Sequence, residues 1–102
     1  MMLAGMIKEV GKDVQEITLI NDAMLFYKML GGTPQIFRLP TDRSISIMCN
    51  DMGKLIGLKP NFMLREYRDI ICGTAIFVGD DGTGKFISLT KAQKEKIKKY
   101  LE

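Results

Sequence analysis

Histidine is absent from all 102 residues, and this one absence excludes more chemistry than any residue present supplies. There is no Ser-His or Cys-His nucleophile pair. The commonest general base near neutral pH and the commonest metal ligand are both missing. Acid–base work would fall to carboxylates such as Glu66, Asp80 and Asp81, and no arrangement in the sequence pairs them. Cysteine is nearly as scarce. Cys49 and Cys72 make neither a zinc spacing nor a CxxC pair. Each lies in an apolar run, where a free thiol behaves as a small hydrophobe, and a reducing compartment suits them. No apolar stretch approaches the length of a membrane span; Thr74 to Val78 is typical of the longest. Met1 to Ile7 is too short for a signal peptide and lacks a basic flank. The expectation is a cytoplasmic protein with no catalytic residue, no metal and no cofactor.

What is present describes an ordinary small domain. Hydrophobic residues make up 46% and charged residues 26%, values that argue against disorder. The length suits one domain over residues 1–102. A domain of this size buries roughly 65% of the surface its unfolded chain exposes, so the core is thin. Eight methionines are many for such a chain; Met fills irregular cores and also lines surfaces that repack around partners. The net charge of +3 is unevenly placed. From Lys85 to Glu102 six lysines stand against two glutamates, whereas the preceding residues hold nine basic and ten acidic side chains. The positive excess therefore belongs to the last element, as a solvated helix face or an anion-binding surface. That face lacks interleaved aromatics, and only 8% of the chain is aromatic, so direct nucleic-acid binding is not expected.

Taken in order, Met6 to Glu9 and Asp13 to Leu19 read as a hairpin turned by Gly11. Asn21 or Asp22 caps a helix over Ala23 to Leu30, with Phe26 and Leu30 on one stripe and Gly31-Gly32 as its stop. Gln35 to Leu39 is a strand ended by Pro40, Thr41 to Arg43 a turn, and Ser44 to Cys49 a half-buried strand. Cys49 to Asn61 is dense in turn residues and predicts a structured loop. Leu64 to Arg68 is short and charged, and Asp69 to Val78 predicts one buried strand. Gly79 to Gly84 joins it to a return strand over Phe86 to Leu89. Thr90 and Gln93 then form the capping box of a lysine-rich helix.

Two motifs carry little. Gly79-x-x-x-x-Gly84-Lys85 imitates a phosphate loop, but Phe86 stands where a Mg²⁺-holding Ser or Thr is required, and a strand follows instead of a helix. Asp80-Asp81 does not complete a calcium loop. Three blocks taken together resemble the domain of unknown function 3846 family. They are Gly31-Gly32 with Gln35 to Pro40, then Cys49 to Asn61, then Asp69 to Gly79 with Phe86 to Thr90. The resemblance covers most of the chain after Asn21. It implies a small protein of a phage, plasmid or other mobile element, of a kind often encoded near anti-restriction genes, that blunts bacterial defence. It implies no catalytic residues. The chain departs from the family pattern at Phe62, where a basic residue is common after Pro60-Asn61. Arg65 or Arg68 would have to serve an anion in its place.

The fold expected is α+β, a small, mostly antiparallel sheet of about five or six strands with two helices. The thin core and apolar first helix point to a homo-oligomer. The function expected is a non-catalytic binder that sequesters a nucleotide-type signalling molecule, with Asn50, Lys54, Asn61, Arg65 and Arg68 as ligand-binding residues. Loop N–H groups would cradle phosphate while guanidinium forks pair with it. The alternative is a protein-binding inhibitor of a host defence nuclease, of anti-CRISPR or anti-restriction type, with Lys94 and Lys98 as partner-binding residues.

Overall fold

The computed structural model describes residues 2–102. β1 (Met2–Lys8) and β2 (Gln15–Ile20) form the opening hairpin, followed by α1 (Ala23–Leu30). β3 (Pro34–Leu39) and β4 (Asp42–Asn50) form a second hairpin, and a turn-rich loop leads to β5 (Pro60–Leu64). A 3₁₀ turn (Arg65–Tyr67) precedes β6 (Asp69–Cys72), then come β7 (Ala75–Asp80), β8 (Phe86–Ile87) and α2 (Lys91–Tyr100). Six strands share one sheet in the order β2-β1-β7-β4-β3, with β8 beside β7, while β5 and β6 form a separate pair. Every pairing is antiparallel. The α+β class expected from the sequence is the one observed. No helix of the described residues is long and apolar enough to cross a membrane.

The central strands β4 and β7 are buried on both faces over most of their length, and strand alternation sends their side chains to two different layers. Ile45, Ile47 and Cys49 join Ala75 and Phe77 on one face, under Ile97 and Tyr100 of α2 and Leu64 and Ile71 of the small sheet. Met48, Ile76 and Val78 point the other way, onto Phe26 and Leu30 of α1. The large sheet is thus a middle layer between α1 on one side and α2 with β5–β6 on the other.

Both helices are held at their starts as the sequence predicts. Asp22 Oδ1 accepts from Met24 N–H at 2.7 Å, and Gly31 ends α1 in the left-handed conformation. Thr90 and Gln93 make the full capping box. The lysine face of α2 is not simply solvated. Lys94 pairs with Glu16 of β2 at 2.7 Å and Lys96 with Asp42 of β4 at 3.0 Å, so part of the basic excess pins the helix to the sheet.

The middle of the chain departs from the sequence reading. Asp69 to Val78 is not one strand, because Gly73 at φ 81° turns the chain and sends β6 and β7 to different sheets. A side chain at 73 would also put its Cβ 2.7 Å from Leu58 Cδ1, so only glycine fits. Pro60–Leu64, expected as loop and charged stretch, forms β5, with Pro60 at the first strand position that proline tolerates. At the start, β1 begins at Met2 and not Met6; near the end, β8 stops at Ile87 and Leu89 turns into the core.

Candidate functional site

Asn50 closes β4 with a buried side chain. Its Nδ2 donates to Leu30 C=O at 3.2 Å and its Oδ1 accepts from Met52 N–H at 2.8 Å, tying the end of α1 to the start of the loop. The loop then folds on itself: Gly53 N–H donates to Asn50 C=O, Ile56 N–H to Met52 C=O, and Leu58 N–H to Gly53 C=O. Most of its amides therefore have partners inside the protein. Asn61 acts as a clamp, donating to Lys8 C=O and Gly73 C=O, each at 2.8 Å, and accepting from Lys8 Nζ at 2.9 Å. Lys54 forms an ion pair with Asp69, whose bond raises the lysine pKa. Asn50 and Lys54 line a cavity of about 240 Å³ together with Gln35, Phe37, Cys49 and Cys72. Burial, followed by the Asp69 and Asp51 charges, pushes the Cys49 thiol up to about 11. It stays protonated near neutral pH and is no nucleophile.

A second cleft, of about 380 Å³, opens between the 3₁₀ turn and α2, lined by Thr41, Arg65, Glu66, Lys96, Lys99 and Tyr100. Its floor is Tyr100, a buried end of the apolar stripe of α2. The Arg65 guanidinium lies over that ring, 5.2 Å from the centroid. The Tyr100 hydroxyl donates to Glu66 Oε1 at 2.7 Å, which holds the Glu66 carboxyl below its usual range. Burial, and then that same bond, pushes Tyr100 up to about 12. Lys96 is paired with Asp42, but among the described residues neither Arg65 nor Lys99 has a carboxylate within ion-pair distance. The cleft thus carries three cations against one carboxylate, and among the described residues two of those cations, Arg65 and Lys99, make no ion pair.

The structure separates the residues that the sequence groups together. Asn50 and Lys54 line the smaller cavity, Arg65 lines the basic cleft, and Asn61 and Arg68 line neither. Arg68 sits at φ 52°, where its N–H donates to Arg65 C=O at 3.1 Å to close the 3₁₀ turn. Lys94 is engaged with Glu16, and Lys98 stands 3.6 Å from Glu95. The carboxylates named for acid–base work are also dispersed. Asp80 is buried against Arg38 at 3.3 Å and Ser46 at 3.3 Å, Asp81 organises the β7–β8 turn through Thr83, and Glu66 lies in the basic cleft. Sequence reasoning missed Thr41, Lys96, Lys99 and Tyr100. The spacing of Lys96, Lys99 and Tyr100 places them on one helix face, but nothing in the sequence brings Arg65 beside them.

A model of the family described as Domain of unknown function (DUF3846) matches residues 2–102. The chain belongs to this family. No curated protein and no solved structure matches it. The blocks that carry the DUF3846 resemblance build β3, the end of β4, the loop, β6 with β7, and β8 with the cap of α2. Thr41, Arg65, Lys96, Lys99 and Tyr100 all fall outside them. The basic cleft is mounted on segments between and after those blocks, all of them within the matched residues 2–102.

Proposed function

We propose that this protein is a non-catalytic binder of a small nucleotide-type molecule, whose phosphate it holds in the cleft between the 3₁₀ turn and α2. The observation that carries the reading is the pair Arg65 and Lys99, two cations without carboxylate partners among the described residues, set around Tyr100. A cavity of about 380 Å³ falls within the size of small-ligand sites. A guanidinium already laid on an aromatic ring offers its N–H edge pre-organised, so it loses less freedom on meeting a phosphate. The non-catalytic part rests on commitment of the nearby acid: Glu66 is bonded to Tyr100, and burial keeps that phenol neutral. The family resemblance supplies the setting, an accessory protein of a phage or mobile element that blunts bacterial defence; sequestering a signalling molecule in the host cytoplasm is the way this reading has it do so.

Isothermal titration against nucleoside triphosphates and cyclic dinucleotides tests this. Each charge-assisted hydrogen bond contributes about 1.5–3 kcal/mol, so Arg65→Ala with Lys99→Ala should weaken binding by at least about a hundredfold while circular dichroism stays native. Binding unchanged in that double variant, or no binding of any probe by the wild type, sinks the reading. A second reading has its own support: Met52, Leu55 and Ile56 stand exposed on the loop, and uncovered apolar groups of this kind mark protein-binding surfaces. Native mass spectrometry of freshly purified protein separates the two. Extra mass released by mild heating favours the sequestering protein, and a bare chain favours an inhibitor of a host defence nuclease.

A further inference from the structure

The two open edges of the six-stranded sheet differ. On β3, Thr33 C=O accepts from Asp51 N–H, and antiparallel alternation from that bond leaves Pro34, Ile36 and Arg38 facing outward. Pro34 brings no N–H, and Arg38 C=O is already taken by the Tyr67 hydroxyl at 2.9 Å. That edge is blunted. On β2 the phase is set by Ala4. Its N–H donates to Ser88 Oγ at 2.9 Å and its C=O accepts from Leu89 N–H at 2.9 Å, both away from β2. Ala4 is the register partner of Thr18, so the backbone groups of Glu16, Thr18 and Ile20 face outward. These three residues are all exposed, and no proline guards them. Among their outward groups only Ile20 C=O has a partner in the described residues, Asp22 N–H at 2.9 Å. Apolar side chains beside this edge are uncovered too. Ile20 is 50% exposed, its cross-strand partner Met2 60%, and Met24 of α1 61%.

We propose that this edge pairs with the same edge of a second copy of the chain, antiparallel about a two-fold axis at Thr18, joining two sheets into one. The backbone groups of the strand are self-complementary in that register. Thr18 meets the partner's Thr18 and exchanges both ladder bonds, and Ile20 N–H donates to C=O of the partner's Glu16. On the face toward α1, Ile17 meets the partner's Leu19, and both residue types already belong to the apolar layer there. Threonine pairs and aliphatic pairs stabilise antiparallel neighbours. The one charge on the edge, Glu16, enters the contact with its counter-ion Lys94 in place at 2.7 Å. A second copy fits better than an unrelated strand, because one sequence supplies both halves of each match and two-fold closure leaves no β2 edge open. This pairing is independent of the ligand reading.

Analytical ultracentrifugation of the chain tests it, with a species of twice the 11.5 kDa chain mass expected. Thr18→Pro removes the N–H aimed at the partner and leaves the β1–β2 ladder intact, so a folded monomer is expected. Thr18→Lys serves if proline disturbs folding. It sets like charges across the axis and should raise the dimer dissociation constant at least about tenfold, with partial recovery in high salt. Ile36→Pro, the same change on the blunted β3 edge, should leave the dimer whole. A monomeric wild type overturns the proposal, as does a dimer that survives both folded Thr18 variants or that is lost in folded Ile36→Pro.

Discussion

A single buried amide, that of Asn50, ties together two segments twenty residues apart in sequence. Asn50→Ala leaves Leu30 C=O and Met52 N–H without their side-chain partner. A buried polar group stripped of its partner costs about 1–3 kcal/mol, and urea unfolding should register a loss of that size. Nucleotide affinity should stay the same, because Asn50 does not line the basic cleft. An unshifted midpoint would show that the amide contributes nothing to the fold. Asn50 and Asn61 illustrate the limit of reading residues one at a time. An asparagine in a turn-rich segment is chemically suited to a ligand and equally suited to the chain's own carbonyls. The partners that decide between the two, Leu30 for Asn50 and Lys8 for Asn61, lie far off in sequence. Arg65 stood out in the sequence as a candidate, whereas its neighbours Lys99 and Tyr100 could be placed beside it only by the fold.

Elements whose ends are written in local chemistry were fully legible. Asp22 and Gly31 bound α1, and Thr90 with Gln93 opens α2. The α2 cap is also testable. Thr90→Ala deletes the oxygen that accepts from Gln93 N–H at 3.1 Å and should cost about 1 kcal/mol. In a domain of this size that lowers Tm by roughly 4–8 °C; an unshifted calorimetric Tm would mean that the cross-element pairs of Lys94 and Lys96 hold the helix without its cap. Elements defined by long-range partners were not legible. β5 looked like loop because Pro60 and Asn61 open it, and its ladder to β6 supplies what local propensity does not. The division of β6 from β7 rests on Gly73 alone within a continuous apolar run, and a glycine there reads equally well as a weak spot in one strand.

Across the molecule, the layer beneath α2 buries two groups that resist ionisation. Cys49 is pushed up to about 11 from an ordinary 9.0, and Tyr100 to about 12 from 10.0. Both pKa values are raised in the folded protein, so the neutral forms favour the fold. Their contribution is complete below the unfolded thiol value of 9.0 and is lost as pH rises through 11 and 12. Thermal melts should show a steady fall in Tm above about pH 9, and the fall should begin later in Cys49→Ala relative to that variant's own neutral value. A Tm flat to pH 11 would contradict the burial assigned to these groups.

The bonds from Ala4 to Ser88 and Leu89, and the place of β1 between β2 and β7, also set a timetable. A chain emerging from the ribosome delivers its first strand early, but that strand gains its second neighbour only when β7 and the segment after it have followed. Until then the opening hairpin is a two-stranded piece, marginal by itself in water, and distant pairings of this kind make folding slow. The protein commits late, because a translation product that stops short of β7 lacks the strand that joins β1 to β4 in the middle layer. Sheet order here makes the opening hairpin wait on a strand from the far part of the sequence.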